Sequence, residues 1–417
     1  MMYTIALILS TVMGYLALRL IARERLDTVL SWLLGAALGF GINGLIVFYV
    51  QLCFGWHPAW AAPVVSVLIL GILLYLNYRN LSFPHAVSGN LRNFGLLAII
   101  AFFLTCEALY YPIGGWDAWS CWNLKAKFIY LGGENWKTLF DPLLWRSNTQ
   151  YPLLLPCINV WFWDLAGGDY IWVPMLNAVV FTVLCAGVLL FGLQKLTGQK
   201  LLPIVLTAAA FLLPFNITLN AGQYSDILVG LFLLCAFVCL AREEFVLTAL
   251  FLGLLSFTKT EGTVAAGILT FLILLKKKKS SGPFLTALLV ASLPTIIFTL
   301  AMAPRNEAFI NGLTSALKPS TWPRLQAVGV FPLFELISLK WNGIWLLLLG
   351  GLALKWKTAF GSKLRVFGIF MGIYLVIVLA YYQVNTFFDV IWWMQNTLHR
   401  ILFALLPSLL LWLGLAL

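Results

Sequence analysis

The chain has 417 residues, of which 62% are hydrophobic and only 10% charged, with a mean hydropathy of +0.95. A soluble domain is nearer half apolar and a quarter charged, so the composition excludes a water-soluble globule. A formal net charge of +11 suggests nucleic acid in a soluble chain, but its placement along this one points to a membrane.

Apolar runs occupy 3–22, 28–53, 61–77, 94–111, 152–166, 170–193, 201–219, 226–241, 245–257, 263–275, 283–301, 344–354, 366–384 and 401–417. The first has no small-residue cleavage site and a second run follows, so it is expected as a span, not a signal peptide. A span takes roughly 20 apolar residues, which allows about 13 crossings. The run 152–166 is the one to drop. It is short, holds Pro152, Pro156 and Asp164, and ends at Gly167-Gly168-Asp169; it reads as an interfacial or re-entrant helix. Lys and Arg then gather on one face, as in cytoplasmic loops. That face holds 16 basic and 4 acidic residues, and the other 10 basic and 11 acidic. The predicted fold is an all-α polytopic membrane protein of about 13 spans with interfacial helices in its first long outer loop. The N-terminus is expected outside and the C-terminus in the cytoplasm. The +11 therefore reports orientation in an inner or plasma membrane, and no nucleic-acid partner is expected.

Two outer segments are long, about 112–151 and 302–343, so the working face is expected outside. Residues 1–93 are expected as an N-terminal three-helix addition. Residues 94–280 form the predicted catalytic module, with outer loop 112–169. Residues 281–417 form a C-terminal membrane region with outer loop 302–343.

The richest stretch, Tyr110 to Lys127, follows the run 94–111. Gly114-Gly115 breaks the helix and Asp117 follows. Trp116, Trp119 and Trp122 recur every three residues, which places them on one side of a helix on the outer leaflet. Asp117 has two open roles, a general base at a membrane-level cavity or an N-cap. The loop Gln223-Tyr224-Ser225-Asp226 offers a second carboxylate, Asp226, for an acceptor or a divalent cation, Mg or Mn; its competing role is again a cap. The turn Thr258-Lys259-Thr260-Glu261-Gly262 lies between two runs of 13 residues. It should sit at membrane depth, where ionisable groups are costly and mark function. Lys259 suits a phosphate there, or pairs with Glu261. His399-Arg400 precedes the last run, and Arg binds phosphate well; the alternative is an interface anchor. Glu107 is a weaker candidate. Seven cysteines lie mostly in apolar runs; Cys121 and Cys157 fall on one side and leave a disulfide open.

On these residues the chain resembles the GT-C superfamily of membrane glycosyltransferases. That superfamily includes the lipid A aminoarabinose transferases, the protein mannosyltransferases and the oligosaccharyltransferase catalytic subunit. The resemblance rests on Gly115-Trp116-Asp117-Ala118-Trp119 just after a span, on Gln223-Tyr224-Ser225-Asp226 in a second outer loop, and on Phe257-Thr258-Lys259-Thr260-Glu261-Gly262 closing an apolar run. It covers about 94–280 well. The second loop departs from the resemblance in lacking a full Asp-x-Asp, and no soluble C-terminal domain of the oligosaccharyltransferase kind is expected. The resemblance implies an inverting transfer of a sugar from a polyprenyl-phosphate donor to a glycan, lipid or protein acceptor on the outer face. Asp117 is then catalytic, with Asp226 and Tyr224 toward the acceptor or a metal. Lys259, His399 and Arg400 face the donor phosphate, and Trp116, Trp119, Trp122, Lys125 and Glu261 contact sugar or lipid.

Two other classes make different predictions. A transporter or flippase of lipid-linked sugars predicts symmetric halves and polar residues near the midplane of several spans; the sequence shows no such symmetry, and its charge clusters at the outer ends. An O-antigen-ligase-like enzyme predicts a late outer loop rich in His and Arg; loop 302–343 has Arg305 and Arg324 but no His.

Overall fold

The computed structural model describes residues 2–22, 28–78, 91–276, 281–305, 322–385 and 388–417. Arg23, Arg25, Arg79, Lys277 to Lys279 and the 306–321 part of the second long loop lie outside the described residues.

The described chain is helical, with no strand among the described residues. In order come α1 (Met2–Ile21), α2 (Thr28–Phe54), α3 (Ala61–Asn77) and α4 (Leu91–Tyr110). A π-helical turn (Ala118–Trp122), α5 (Asn123–Leu131) and two 3₁₀ stretches (Gly133–Phe140 and Pro142–Ser147) make up the first long loop. Next are α6 (Leu154–Ala166), α7 (Trp172–Thr197), α8 (Leu201–Phe211), α9 (Pro214–Ala221) and α10 (Asp226–Ala241). Then follow α11 (Phe245–Ser256), α12 (Thr260–Lys276), α13 (Gly282–Ala301) and α14 (Trp322–Ile337). The chain ends with α15 (Ile344–Leu354), α16 (Trp356–Ala359), α17 (Arg365–Val384) and α18 (Val390–Ala416).

The centre is built from helices apolar on every side. In α7 and α18, 83% of the most apolar stretch is buried; in α4 and α13 the figure is 28%. What α4 and α13 leave uncovered is Phe102, Phe103, Leu109, Leu289 and Val290, all large and apolar. A soluble helix turns polar residues outward; these turn hydrocarbon outward, which needs lipid as the solvent. The chain is thus a multi-pass all-α membrane protein.

Seven described helices are long and apolar enough to cross a membrane: α1, α2, α4, α7, α13, α17 and α18. An eighth crossing forms if α8 and α9 act together, bent by 65°. The bend falls at Pro214, the first residue of α9, where a ring replaces the N–H that would continue the helix. Helices α3, α6, α10, α11 and α15 are apolar but only 11 to 17 residues long. Several runs that read as spans are therefore helices of 12 to 17 residues, such as α10, α11 and α12.

Two local features position the site. The run 152–166 forms α6 (Leu154–Ala166). Residues Leu154 to Trp163 are all buried, and Trp161 and Trp163 are sealed among α2, α5 and α7. The first three helices also pack into the rest: α1 and α2 lie against α6, and α2 against α7.

Candidate functional site

The site forms where three breaks in the helical pattern meet the continuous helix α18 at one end of the bundle. The first is the turn after α4. The Gly114 N–H bonds to the Tyr111 carbonyl, and Gly114 takes φ +72°, a conformation open to glycine at little cost. The Gly115 N–H then reaches the carbonyl of Gly222 at 3.0 Å, which locks the first loop onto the second. A Cβ on Gly115 would stand 1.9 Å from the Tyr224 hydroxyl, so the close approach requires glycine.

Asp117 and Asp226 both sit at helix starts, yet neither side chain caps its helix. Each turns to Arg400 instead. Arg400 Nη1 meets Asp117 Oδ2 at 2.7 Å, while Nε and Nη2 hold Asp226 Oδ2 at 2.9 and 2.7 Å. The other Asp226 oxygen accepts from Lys259 Nζ at 3.0 Å, and Lys259 also meets Glu261 Oε1 at 3.0 Å. Asp117, Arg400, Asp226, Lys259 and Glu261 thus form one continuous ionic chain. Its middle is closed and its ends are open: Asp226 and Lys259 side chains are 4% and 7% exposed, Asp117 and Glu261 20% and 24%. Asp226 and Glu261 lie in the first turns of α10 and α12, where the helix dipole favours negative charge.

The local sequence explains the turn at Lys259. The Thr258 hydroxyl donates to the Leu254 carbonyl and the Thr263 hydroxyl to the Ser256 carbonyl, tying both helix ends. A Cβ on Gly262 would meet the Leu255 carbonyl at 2.2 Å, so α12 can pass this close only with glycine. Arg400 lies ten residues into the continuous helix α18, about 15 Å along it from its start.

Aromatic rings wall the chain. The Arg400 guanidinium stands 4.1 Å from the Tyr224 ring centre, within cation–π range. The Tyr151 ring stacks on Trp122 with centres 5.7 Å apart, and the Lys259 ammonium lies 5.8 Å from it. Tyr151 carries no signal in the sequence beyond standing before Pro152.

The other candidate residues surround this chain without joining it. Trp116 and Trp119 are exposed and packed edge to face, but Trp122 is buried. The π-helical turn adds a residue to the pitch, so the three-residue spacing does not hold one face. Lys125 is buried too; its ammonium donates to the carbonyls of Asn148 (2.7 Å) and Tyr151 (3.3 Å). Burial pushes its pKa down, with the Cys121 thiol acting in the opposite sense. These bonds fasten the loop. His399 lies beside Arg400 in sequence but its Nδ1 meets the Gln395 carbonyl and its ring faces Phe215. Glu107 pairs with the Thr218 hydroxyl. Cys121 and Cys157 are both free thiols, and burial pushes Cys121 up to about 11.

A divalent cation shared by Asp117 and Asp226 does not fit this arrangement. Both Asp226 oxygens are held by cations and Arg400 fills the gap between the carboxylates. Among the described residues no three His, Cys, Asp or Glu side chains are grouped to hold a metal.

A second polar chain, unforeseen from the sequence, buttresses both loops. Tyr3 donates to Asn177, Asn177 to Asn159, Asn159 to Asn123 and Asn123 to Gln223, at 2.9 to 3.0 Å. Gln223 closes it on the Pro112 carbonyl at 2.9 Å. Gln223 itself takes φ +57°.

No family model, curated protein or solved structure matches this chain.

Proposed function

We propose that this protein is a membrane glycosyltransferase of the GT-C type. It would move a sugar from a polyprenyl-phosphate donor to a glycan, lipid or protein hydroxyl at the outer face. The observation that carries the reading is the ionic chain, buried in the middle and open at Asp117 and Glu261. Charges at membrane depth are costly and persist mainly where they act. The exposed Trp116 and Trp119 at the open end suit stacking on a sugar, and the lipid-facing helices suit a polyprenyl tail.

The charge balance suggests how the step runs. Three carboxylates face two cations, so the resting chain carries one net negative charge. The acceptor hydroxyl gives its proton to Asp117 as its oxygen bonds to the anomeric carbon. The bond from that carbon to the phosphate oxygen breaks, and the electron pair leaves with polyprenyl phosphate. Protonation of Asp117 brings the chain to neutrality and releases one carboxylate from Arg400. Arg400 has five N–H donors and Lys259 three; those not engaged by carboxylates can meet the leaving phosphate as its charge grows.

The test is binding of undecaprenyl phosphate against undecaprenol in nanodiscs, read by tryptophan fluorescence. The phosphate should bind roughly tenfold or more tighter, about 1.4 kcal/mol. Equal affinities would remove the phosphate from the reading.

A further inference from the structure

A cavity of about 610 Å³ lies away from the ionic chain. Its walls come from the opposite helix ends. Asp226 opens α10, whereas Leu240 and Ala241 at its close line the cavity; Lys259 precedes α12, whereas Lys276 ends it. At 1.5 Å per residue these helices separate the two places by about 20 Å. The cavity has the size of a ligand site.

Its lining is amphiphilic. Leu240, Leu272 and Phe367 make apolar walls, while Lys276 and Lys363 stand exposed on the rim against Glu243, leaving that rim net positive. The residues just before the start of α17 also border it, and a helix N-terminus favours anions. A cationic rim over an apolar hollow between membrane helices suits an anionic lipid on the lysine-rich face.

We propose that this cavity binds an anionic phospholipid of the face opposite the ionic chain, its phosphate at Lys276 and Lys363 and an acyl chain against the apolar walls. The site is independent of the transfer reaction. A soluble anion would use the rim alone; the hollow below it selects a molecule with a tail.

The experiment is native mass spectrometry of the full-length protein, offered phosphatidylglycerol or phosphatidylcholine with the same acyl chains. Wild type should retain phosphatidylglycerol about tenfold to thirtyfold more strongly, the effect of two lysines near a headgroup. Lys276→Gln with Lys363→Gln should bring retention down to the phosphatidylcholine level. Ala241→Trp, which fills the hollow and leaves the charge, should reduce retention of phosphatidylglycerol. Lys195→Gln with Lys200→Gln, outside the cavity lining, should change nothing. Equal retention of the two lipids, or equal loss in the control pair, overturns the proposal. So does displacement of phosphatidylglycerol by equimolar glycerol 3-phosphate, which would mark a site for free phosphate.

Discussion

Two polar chains of five side chains run through this apolar bundle, and they solve the same problem in opposite ways. The amide chain from Tyr3 to Gln223 is neutral, and in each of its three asparagines a donor and an acceptor meet a neighbour. Buried polar groups cost little once so paired. The ionic chain from Asp117 to Glu261 keeps one surplus negative charge, an unpartnered Glu261 Oε2 and two open ends. Satisfaction is complete where the protein needs only to hold a shape. It is incomplete at the open ends of the ionic chain, where the proposed substrates would enter. The two chains meet at Gln223-Tyr224-Ser225-Asp226, where the first fixes the loop that carries the second.

Substitutions can separate these roles. Arg400→Leu should have the largest effect, because it leaves Asp117 and Asp226 without their shared cation. Stability in detergent should fall by roughly 3–5 kcal/mol and transfer should vanish; Arg400→Lys keeps the charge, loses the forked contact and should lie between. Asp117→Asn comes next. Its contact is partly exposed, so unfolding should shift by about 1 kcal/mol or less, while transfer falls roughly 10²- to 10⁴-fold. A variant with wild-type turnover would end the base assignment. Gly115→Ala drives a methyl into the Tyr224 hydroxyl and should push that ring off Arg400. The lost cation–π contact, about 1 kcal/mol, should cost turnover less than tenfold at unchanged acceptor identity. Asn159→Leu breaks the amide chain and should show the reverse profile: about 1–3 kcal/mol of stability lost with the smallest change in turnover. Loss of turnover in Asn159→Leu as deep as in Asp117→Asn, at unchanged stability, would erase the distinction between the chains.

The sequence makes the members of the ionic chain visible because charge at membrane depth is conspicuous. It does not make the pairings visible. Asp117 and Asp226 each also read as caps, Asp226 the more so, and only the position of Arg400 on α18 decides between cap and ion pair. His399 and Arg400 look like one unit, but neighbours on a helix point about 100° apart, and α18 turns His399 toward Phe215. The tryptophan spacing fails at Trp122 because a single π-helical turn, silent in composition, shifts the register. Asn123, Asn159 and Asn177 are isolated polar letters, two of them in apolar runs, and carry no spacing that marks them as a chain. Crossings are hard to count for a similar reason. Hydropathy adds a run such as 245–257 to the count of crossings, whereas the described helix there has 12 residues, short of the roughly 20 that a crossing takes.

The central claim is tested most directly by mass spectrometry of the lipids that co-purify with wild type and with Asp117→Asn. If the ionic chain transfers sugar from a polyprenyl-phosphate donor, the variant should carry the intact polyprenyl-phosphate sugar. Wild type should carry mainly the spent polyprenyl phosphate. Absence of any polyprenyl-phosphate species from both, with ordinary phospholipid in its place, would contradict the account.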